Sequence, residues 1–175
     1  MPIIETNRLI LRPLALDDAP AMFEMDKNPK VHQYLWNKPV CHIQETLDTI
    51  TYVRQQYVEY HIGRYAVVLK ETMEFIGWAG LKWNSEEVQE QIHFYDIGYR
   101  LSEPNWGKGY ATEASKAWME YGFKTMKINI IKAAAQLENA ASNQVLKKIG
   151  MQHTFAYTEN NVVWNWYEKV NSFIE

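Results

Sequence analysis

The sequence predicts an α+β domain in which helices pack on a mixed, mostly antiparallel sheet, and three observations carry that reading. Residues 8–12 (RLILR) alternate polar and apolar side chains with the period of a half-buried strand. From Ile43 the apolar residues Leu47, Ile50, Val53 and Tyr57 recur at helical spacing. Segment 99–114 then runs strand, Gly-bearing turn and helix start in direct succession. A chain of 175 residues, 47% of them hydrophobic and 22% charged, fits one domain, 1–175, without linker, repeat or low-complexity segment.

Taken in order, the strand at 8–12 stops at Pro13. Asp17 and Asp18 then supply a helix cap, Pro20 is tolerated in a first turn, and Ala21, Met22 and Met25 mark an apolar stripe. Residues 28–39 (NPKVHQYLWNKP) hold no sustained period and read as a short helical turn with loop. The long amphipathic helix from Ile43 ends near Gly63. Two β-prone runs, 65–69 and 75–83, flank the turn KETME as a hairpin. Residues 93–101 (HFYDIGYRL) form another strand, followed by the turn SEPNW and a helix from about Gly109. A strand at 127–135, a short helix at 142–149 closed by Gly150, and strands at 151–157 and 162–170 complete the order βα(α)βββαβαββ.

Composition excludes several classes. With 18 Lys+Arg against 21 Asp+Glu the net charge is −3, so no broad footprint for nucleic acid is expected. Cys41 stands alone and can form neither an intrachain disulfide nor a thiolate cluster. No apolar run reaches the ~18 residues of a membrane span, and MPIIETNRLI lacks the pattern of a signal peptide. The chain reads as cytoplasmic. Its 5 His are scattered without ligand spacing, so no metal is expected. The excess lies in rings: 7 Trp, 11 Tyr and 6 Phe, whose polar tips suit pockets as well as cores.

The chemistry concentrates in Gly107-Lys108-Gly109 and what flanks it. Glycines let the backbone turn with positive φ, and the amides and positive dipole end of the next helix face whatever sits there, which builds an anion site suited to a pyrophosphate. It is not a P-loop, which needs GxxxxGK[ST]. Nor is it a dinucleotide fingerprint, because Thr112 takes the third glycine's place and SEPNW separates the turn from the strand.

The turn WGKGYATEA resembles the acetyl-CoA-binding loop of the GNAT N-acetyltransferases, and three further stretches agree. TNRLILRPLALDDAPAMFEM resembles the first strand and helix of the RimJ/RimL-like (ribosomal-protein N-acetyltransferase-like) branch, YDIGYRL its E-I-G-Y-W-L strand, and residues 138–151 its N-x-x-S-x-x-x-L-x-K-x-G-F segment. These stretches follow the family's order from Glu5 to Val170. The resemblance implies a GNAT-like single domain that uses acetyl-CoA as co-substrate, without metal, to acetylate a protein N-terminus or a small amine.

By that resemblance, backbone groups of Tyr99, Arg100 and Leu101 pair with the pantetheine arm. The amides of Trp106, Gly107, Lys108, Gly109, Tyr110, Ala111 and Thr112 cradle the pyrophosphate. Pro104 stands where the superfamily more often has Gln or Arg, leaving the phosphates to backbone amides with Lys108 beside them. Arg100 replaces the branch's usual Trp. Asn139 would hold the pantetheine or the acceptor backbone, Asn143 would contact the cofactor arm, Lys147 and Lys148 lie toward the adenine end, and Ser142, also a helix-cap candidate, would reach the leaving sulfur. Glu113 suits the helix dipole without a catalytic role. Acetyl transfer needs a neutral amine, donors for the oxyanion and a proton for the thiolate. Asp96, where the branch usually has Glu, is the first candidate for the base. His93, three residues earlier on the same predicted strand, would face the other side. A strand amide near Tyr99 would bind the oxyanion.

For the acceptor the sequence leaves a protein or peptide α-amine and a small amine (polyamine, amino acid or drug-like) both open, with a CoA-binding module lacking turnover as a third reading. Residues 28–39 and the turn TENN would select it, and Glu86, Glu87 and Glu90 could attract a cation. Phe75, Trp78, Trp118 and Phe123 read as packing. Tyr34 and Trp36, then Trp106 and Tyr110, then Trp164, Trp166 and Tyr167, read as groove-lining. A monomer and a homodimer are both compatible with the chain.

Overall fold

A computed structural model describes residues 1–173. The strands are β1 (Ile4–Glu5), β2 (Leu9–Pro13), β3 (Arg64–Leu69), β4 (Phe75–Asn84), β5 (Phe94–Leu101), β6 (Ile130–Gln136), β7 (Gln152–Glu159) and β8 (Val162–Val170). They form one sheet in the order β1-β2-β3-β4-β5-β6-β8-β7. Every pair is antiparallel except β5 with β6. The helices are α1 (Ala19–Asp26), α2 (Pro29–His32), α3 (Ile43–Glu59), α4 (Tyr110–Glu120) and α5 (Ala140–Lys148). The α+β, single-sheet reading holds.

Side-chain alternation along each strand sorts the helices onto two faces. Trp118 of α4 meets Tyr65 of β3 edge-on at 4.7 Å, and Tyr99 of β5 reaches Ser142 of α5. A Cβ on Gly122, in the π-turn Tyr121–Thr125 that closes α4, would lie 2.8 Å from Leu81 and 2.9 Å from Ile131, so this glycine sets how closely helix and sheet approach. Arg100, the neighbour of Tyr99, points the opposite way, to Asp26 of α1. Thus α4 and α5 cover one face and α1 and α2 the other, with α3 packed on α1. The core between them is apolar, with Leu9, Leu11, Ile50, Ile76, Leu81 and Ile131 fully buried.

Several expectations shift. Asp18 does not cap with its side chain. A 3-10 turn, Leu16–Asp18, precedes α1, and the Asp18 carboxylate binds the Arg12 guanidinium at 2.7 and 2.8 Å and the Ala15 amide at 2.8 Å. Helix α3 ends at Glu59, short of Gly63, and β6 begins at Ile130, because Lys127 takes φ 56°. Ser142 is not the cap of α5: Asn139 caps it, accepting from the Ser142 amide at 3.0 Å. His93 lies outside β5 at φ 57° and stacks on Trp83, 5.8 Å away and nearly parallel. Strand β1 was not expected, since two residues show no period.

Candidate active site

Strands β5 and β6 pair only at Tyr95↔Ile131 and Asp96↔Lys132, and then part. Strand β4 stays with β5 as far as Leu101, and β8 stays with β6 as far as Gln136. One edge of each inner strand therefore opens onto a gap. The Ser102 amide donates to the Ile76 carbonyl at 2.9 Å, so by alternation the backbone of Arg100 and Gly98 faces β4 while that of Tyr99 and Leu101 faces the gap. The Leu101 carbonyl on that side accepts from the Trp106 indole at 2.7 Å. Of the three residues expected to pair with a ligand arm, Tyr99 keeps both backbone groups for the gap and Leu101 keeps its N–H. Arg100 is corrected: its backbone belongs to the ladder with β4 and its side chain to Asp26.

Beyond β5 a 3-10 turn, Glu103–Asn105, holds Pro104 and leads to the glycines. Gly107 has φ 73° and Gly109, the residue before α4, has φ 83°, left-handed values that favour glycine. The Trp106 amide is spent on the Glu103 carbonyl at 3.1 Å. Those of Gly107, Lys108, Gly109, Tyr110, Ala111 and Thr112 find no acceptor among the described residues. A Cβ on Gly107 would meet nothing within 4 Å, so the cradle is open. The Lys108 side chain does not line it; the Lys108 carbonyl instead accepts from Arg8 at 3.1 Å. Glu113 fastens this turn to the first hairpin, accepting from the Thr6 hydroxyl at 2.6 Å and the Arg8 amide at 2.9 Å.

On the same face Ser142 Oγ lies 3.0 Å from the Tyr99 hydroxyl, which also reaches the Ser142 carbonyl at 3.0 Å. Burial pushes the Tyr99 phenol well above its ordinary value of 10.0, against a smaller lowering by Ser142, so it stays protonated at neutral pH. Asn143 is corrected. It is buried and saturated: its amide donates to the carbonyls of Gln136 and Asn139 at 2.8 and 2.7 Å, and its oxygen accepts from Asn165 and Tyr167 at 2.8 and 2.7 Å. Nothing remains for a ligand, and its work is to tie α5 to β6 and β8. Asn139 and Lys148 do line the cleft, whereas Lys147 does not.

The opposite face presents Asp96, whose carboxylate accepts from Arg64 at 2.5 Å and from Asn84 at 2.9 Å. Gly98 makes room for that guanidinium, since a Cβ there would lie 2.7 Å from it. Trp78, expected to be packing, stands at this wall with Arg64 5.7 Å from its ring and Arg100 5.1 Å. Tyr34 and Trp164 also line the cleft, and Trp36 packs on Trp164 at 5.7 Å. Trp166 and Tyr167 are corrected to core, at 2% and 1% exposure. His93 does not reach the cleft, and neither do Glu86, Glu87 and Glu90. The signal that could have flagged Arg64 is the adjacent Gly98 on β5, legible only once register is known.

Beneath this wall Arg100 donates to the buried Asp26 at 2.8 Å, with His32 3.5 Å from the same oxygen. Burial first, then the Arg100 charge, hold the His32 imidazole below its ordinary 6.5, with Asp26 opposing. Unfolding therefore raises this pKa, and the unfolded chain binds the extra proton as pH falls through about 6.5. Stability is full above that value and declines below it. Thermal melts should show Tm falling from pH 7 to pH 5 with a slope that His32→Gln flattens; equal slopes would remove His32 from the account.

Gap, cradle and wall form one continuous cleft of about 560 Å³. A strand edge that can pair with an amide-bearing arm, next to an anion cradle and open to both faces, is a site suited to a long, phosphorylated ligand with room for a second molecule beside it. Comparison with known proteins agrees. The Acetyltransferase (GNAT) domain family matches residues 8–152. The N-acetyltransferase p20 of Bacillus licheniformis is 31% identical across 87% of this chain and 83% of its own length. The solved GNAT acetyltransferase of Bacillus anthracis superposes with a TM-score of 0.82 at 26% identity, covering 97% of this chain and 99% of that one. RimL, a ribosomal L7/L12 α-N-protein acetyltransferase solved with coenzyme A, shares the fold with a TM-score of 0.80 at 22% identity, covering 97% and 98%. The chain belongs to the GNAT acetyltransferase family and is an acyltransferase.

Among the described residues no helix is long and apolar enough to cross a membrane.

Proposed function

We propose that the protein transfers the acetyl group of acetyl-CoA to the α-amine of a protein or peptide N-terminus, as members of the RimJ/RimL-like branch do. The observation that carries this reading is the gap between β5 and β6 running directly into a cradle of unpartnered amides. The backbone of Tyr99 would hold the pantetheine arm as a strand edge holds a peptide. The amides from Gly107 to Thr112 would take the pyrophosphate, with Lys148 toward the adenine end.

The amine nitrogen attacks the thioester carbonyl carbon, the C–S bond breaks, sulfur leaves as thiolate and the nitrogen loses one proton. An α-amine has a pKa near ~8, so one proton transfer suffices. Asp96 receives that proton, directly or through water, on lone pairs that Arg64 and Asn84 leave free. Ser142 protonates the thiolate and takes a replacement proton from the Tyr99 hydroxyl, which regains its own from water in the cleft, while Asp96 releases the amine's proton to water, so that the two transfers balance through solvent. The Tyr99 amide binds the oxyanion.

The test is thiol release from acetyl-CoA across N-terminal peptides, polyamines and amino acids. Peptide turnover is expected, with Asp96→Asn lowering kcat/KM for the peptide by about 10²-fold. Turnover of small amines alone would replace the acceptor. Cofactor binding without any turnover would make the chain a binding module.

A further inference from the structure

We infer that the acceptor brings no positive charge beyond the reacting amine and seats an apolar or aromatic group beside it, against Trp164. This rests on the acetyl-transfer reading and names the substrate class of that site. With the donor on the α4/α5 face, the acceptor reaches the gap from the α1/α2 face. Among the described residues Asp96 is the one carboxylate lining the cleft, and Arg64 already pairs it. The acids behind that wall are matched as well: Asp26 by Arg100 at 2.8 Å and Glu103 by Lys30 at 2.5 Å. Among the described residues no lining carboxylate is left for a second ammonium, while Lys30, Arg64 and Arg100 all stand at the wall. Each of those cations is itself neutralised by its carboxylate, so a polyamine, or a peptide with Lys beside its α-amine, would bring a second cation to a wall with no free carboxylate to meet it.

Aromatic rings can attract cations, but Trp78 already lies under two guanidiniums, at 5.1 and 5.7 Å. Trp164 is different. It is braced by Trp36 at 5.7 Å and by Tyr157, stacked at 6.5 Å and 12°, so it presents a fixed ring to the cleft that Trp78 and Tyr34 also line.

Initial rates of thiol release test this with peptides identical except for Phe, Ala or Lys at the second residue, together with phenethylamine and spermidine. The Phe peptide should exceed the Lys peptide in kcat/KM by about twentyfold or more, and phenethylamine should exceed spermidine. Trp164→Ala should shrink the Phe-to-Lys ratio about tenfold, with Trp164→Phe retaining most of it. Gln33→Glu, nearly isosteric and lining the cleft, should raise spermidine turnover about fivefold by supplying the missing carboxylate. Spermidine or the Lys peptide matching the aromatic acceptors would overturn the inference, as would an unchanged ratio in Trp164→Ala. Turnover of phenethylamine with no peptide turned over would remove the peptide acceptor and leave the charge and ring preference standing.

Discussion

Replacing Gly109 by valine is expected to raise the acetyl-CoA dissociation constant about a hundredfold. Gly109 precedes α4 at φ 83°, where a β-branched side chain is strained by roughly 1–2 kcal/mol. Space is not the obstacle, since a Cβ would meet only Arg8 Nη2 at an ordinary 3.5 Å. The strain is relieved by resetting the turn, and that swings the amides of Gly107 and Lys108 away from those of Tyr110, Ala111 and Thr112. Losing two charge-assisted hydrogen bonds, each about 1.5 kcal/mol at the low end, gives the hundredfold. The global fold should be spared, because Glu113 still ties α4 to the first hairpin through Thr6 and Arg8. Isothermal titration with acetyl-CoA measures the effect, and a thermal melt separates it from unfolding. Gly109→Asn, which tolerates the left-handed region, should lose much less affinity. Unchanged binding in the valine variant would mean that the cradle does not hold the phosphates.

The same contrast between local and distant causes explains what could be read from the sequence. The β5–turn–α4 segment was legible because a strand, two glycines with positive φ and a helix start are neighbours in the chain. Strand β8 matched its expected limits because its period is long enough to count. What failed depended on partners far away. Asn143 looked like a ligand residue, yet its oxygen is taken by Asn165 and Tyr167, 22 and 24 residues along. Arg64 gave no signal, since it meets Asp96 only through the register of β3, β4 and β5, across 32 residues. Arg100 had no account until Asp26, 74 residues earlier, supplied its counter-charge. In the run Trp164-Asn165-Trp166-Tyr167, alternation assigns faces but not depth: Trp166 is covered by Phe94 and Phe155, whereas Trp164 ends at the cleft.

Ser142→Ala is expected to lower kcat by 10²- to 10⁴-fold while leaving the acetyl-CoA dissociation constant unchanged. The structural cost should be small, because the α5 cap is the Asn139 oxygen bound to the Ser142 amide, which alanine keeps. Any large loss therefore belongs to the hydroxyl. Oγ sits 3.0 Å from the Tyr99 hydroxyl, and burial holds that phenol protonated, so the pair can pass a proton to a departing thiolate. Tyr99→Phe should cost less, about tenfold, since Ser142 keeps its own proton and loses only its resupply. Varying the leaving group distinguishes this role from simple positioning. With an aryl thioester analogue, whose thiolate departs without protonation, the Ser142→Ala deficit should shrink toward unity, whereas a positioning defect would persist with every donor. An equal deficit across donors, measured as single-turnover rates at saturating acceptor, would take Ser142 out of the proton path and leave the thiolate to be protonated by solvent.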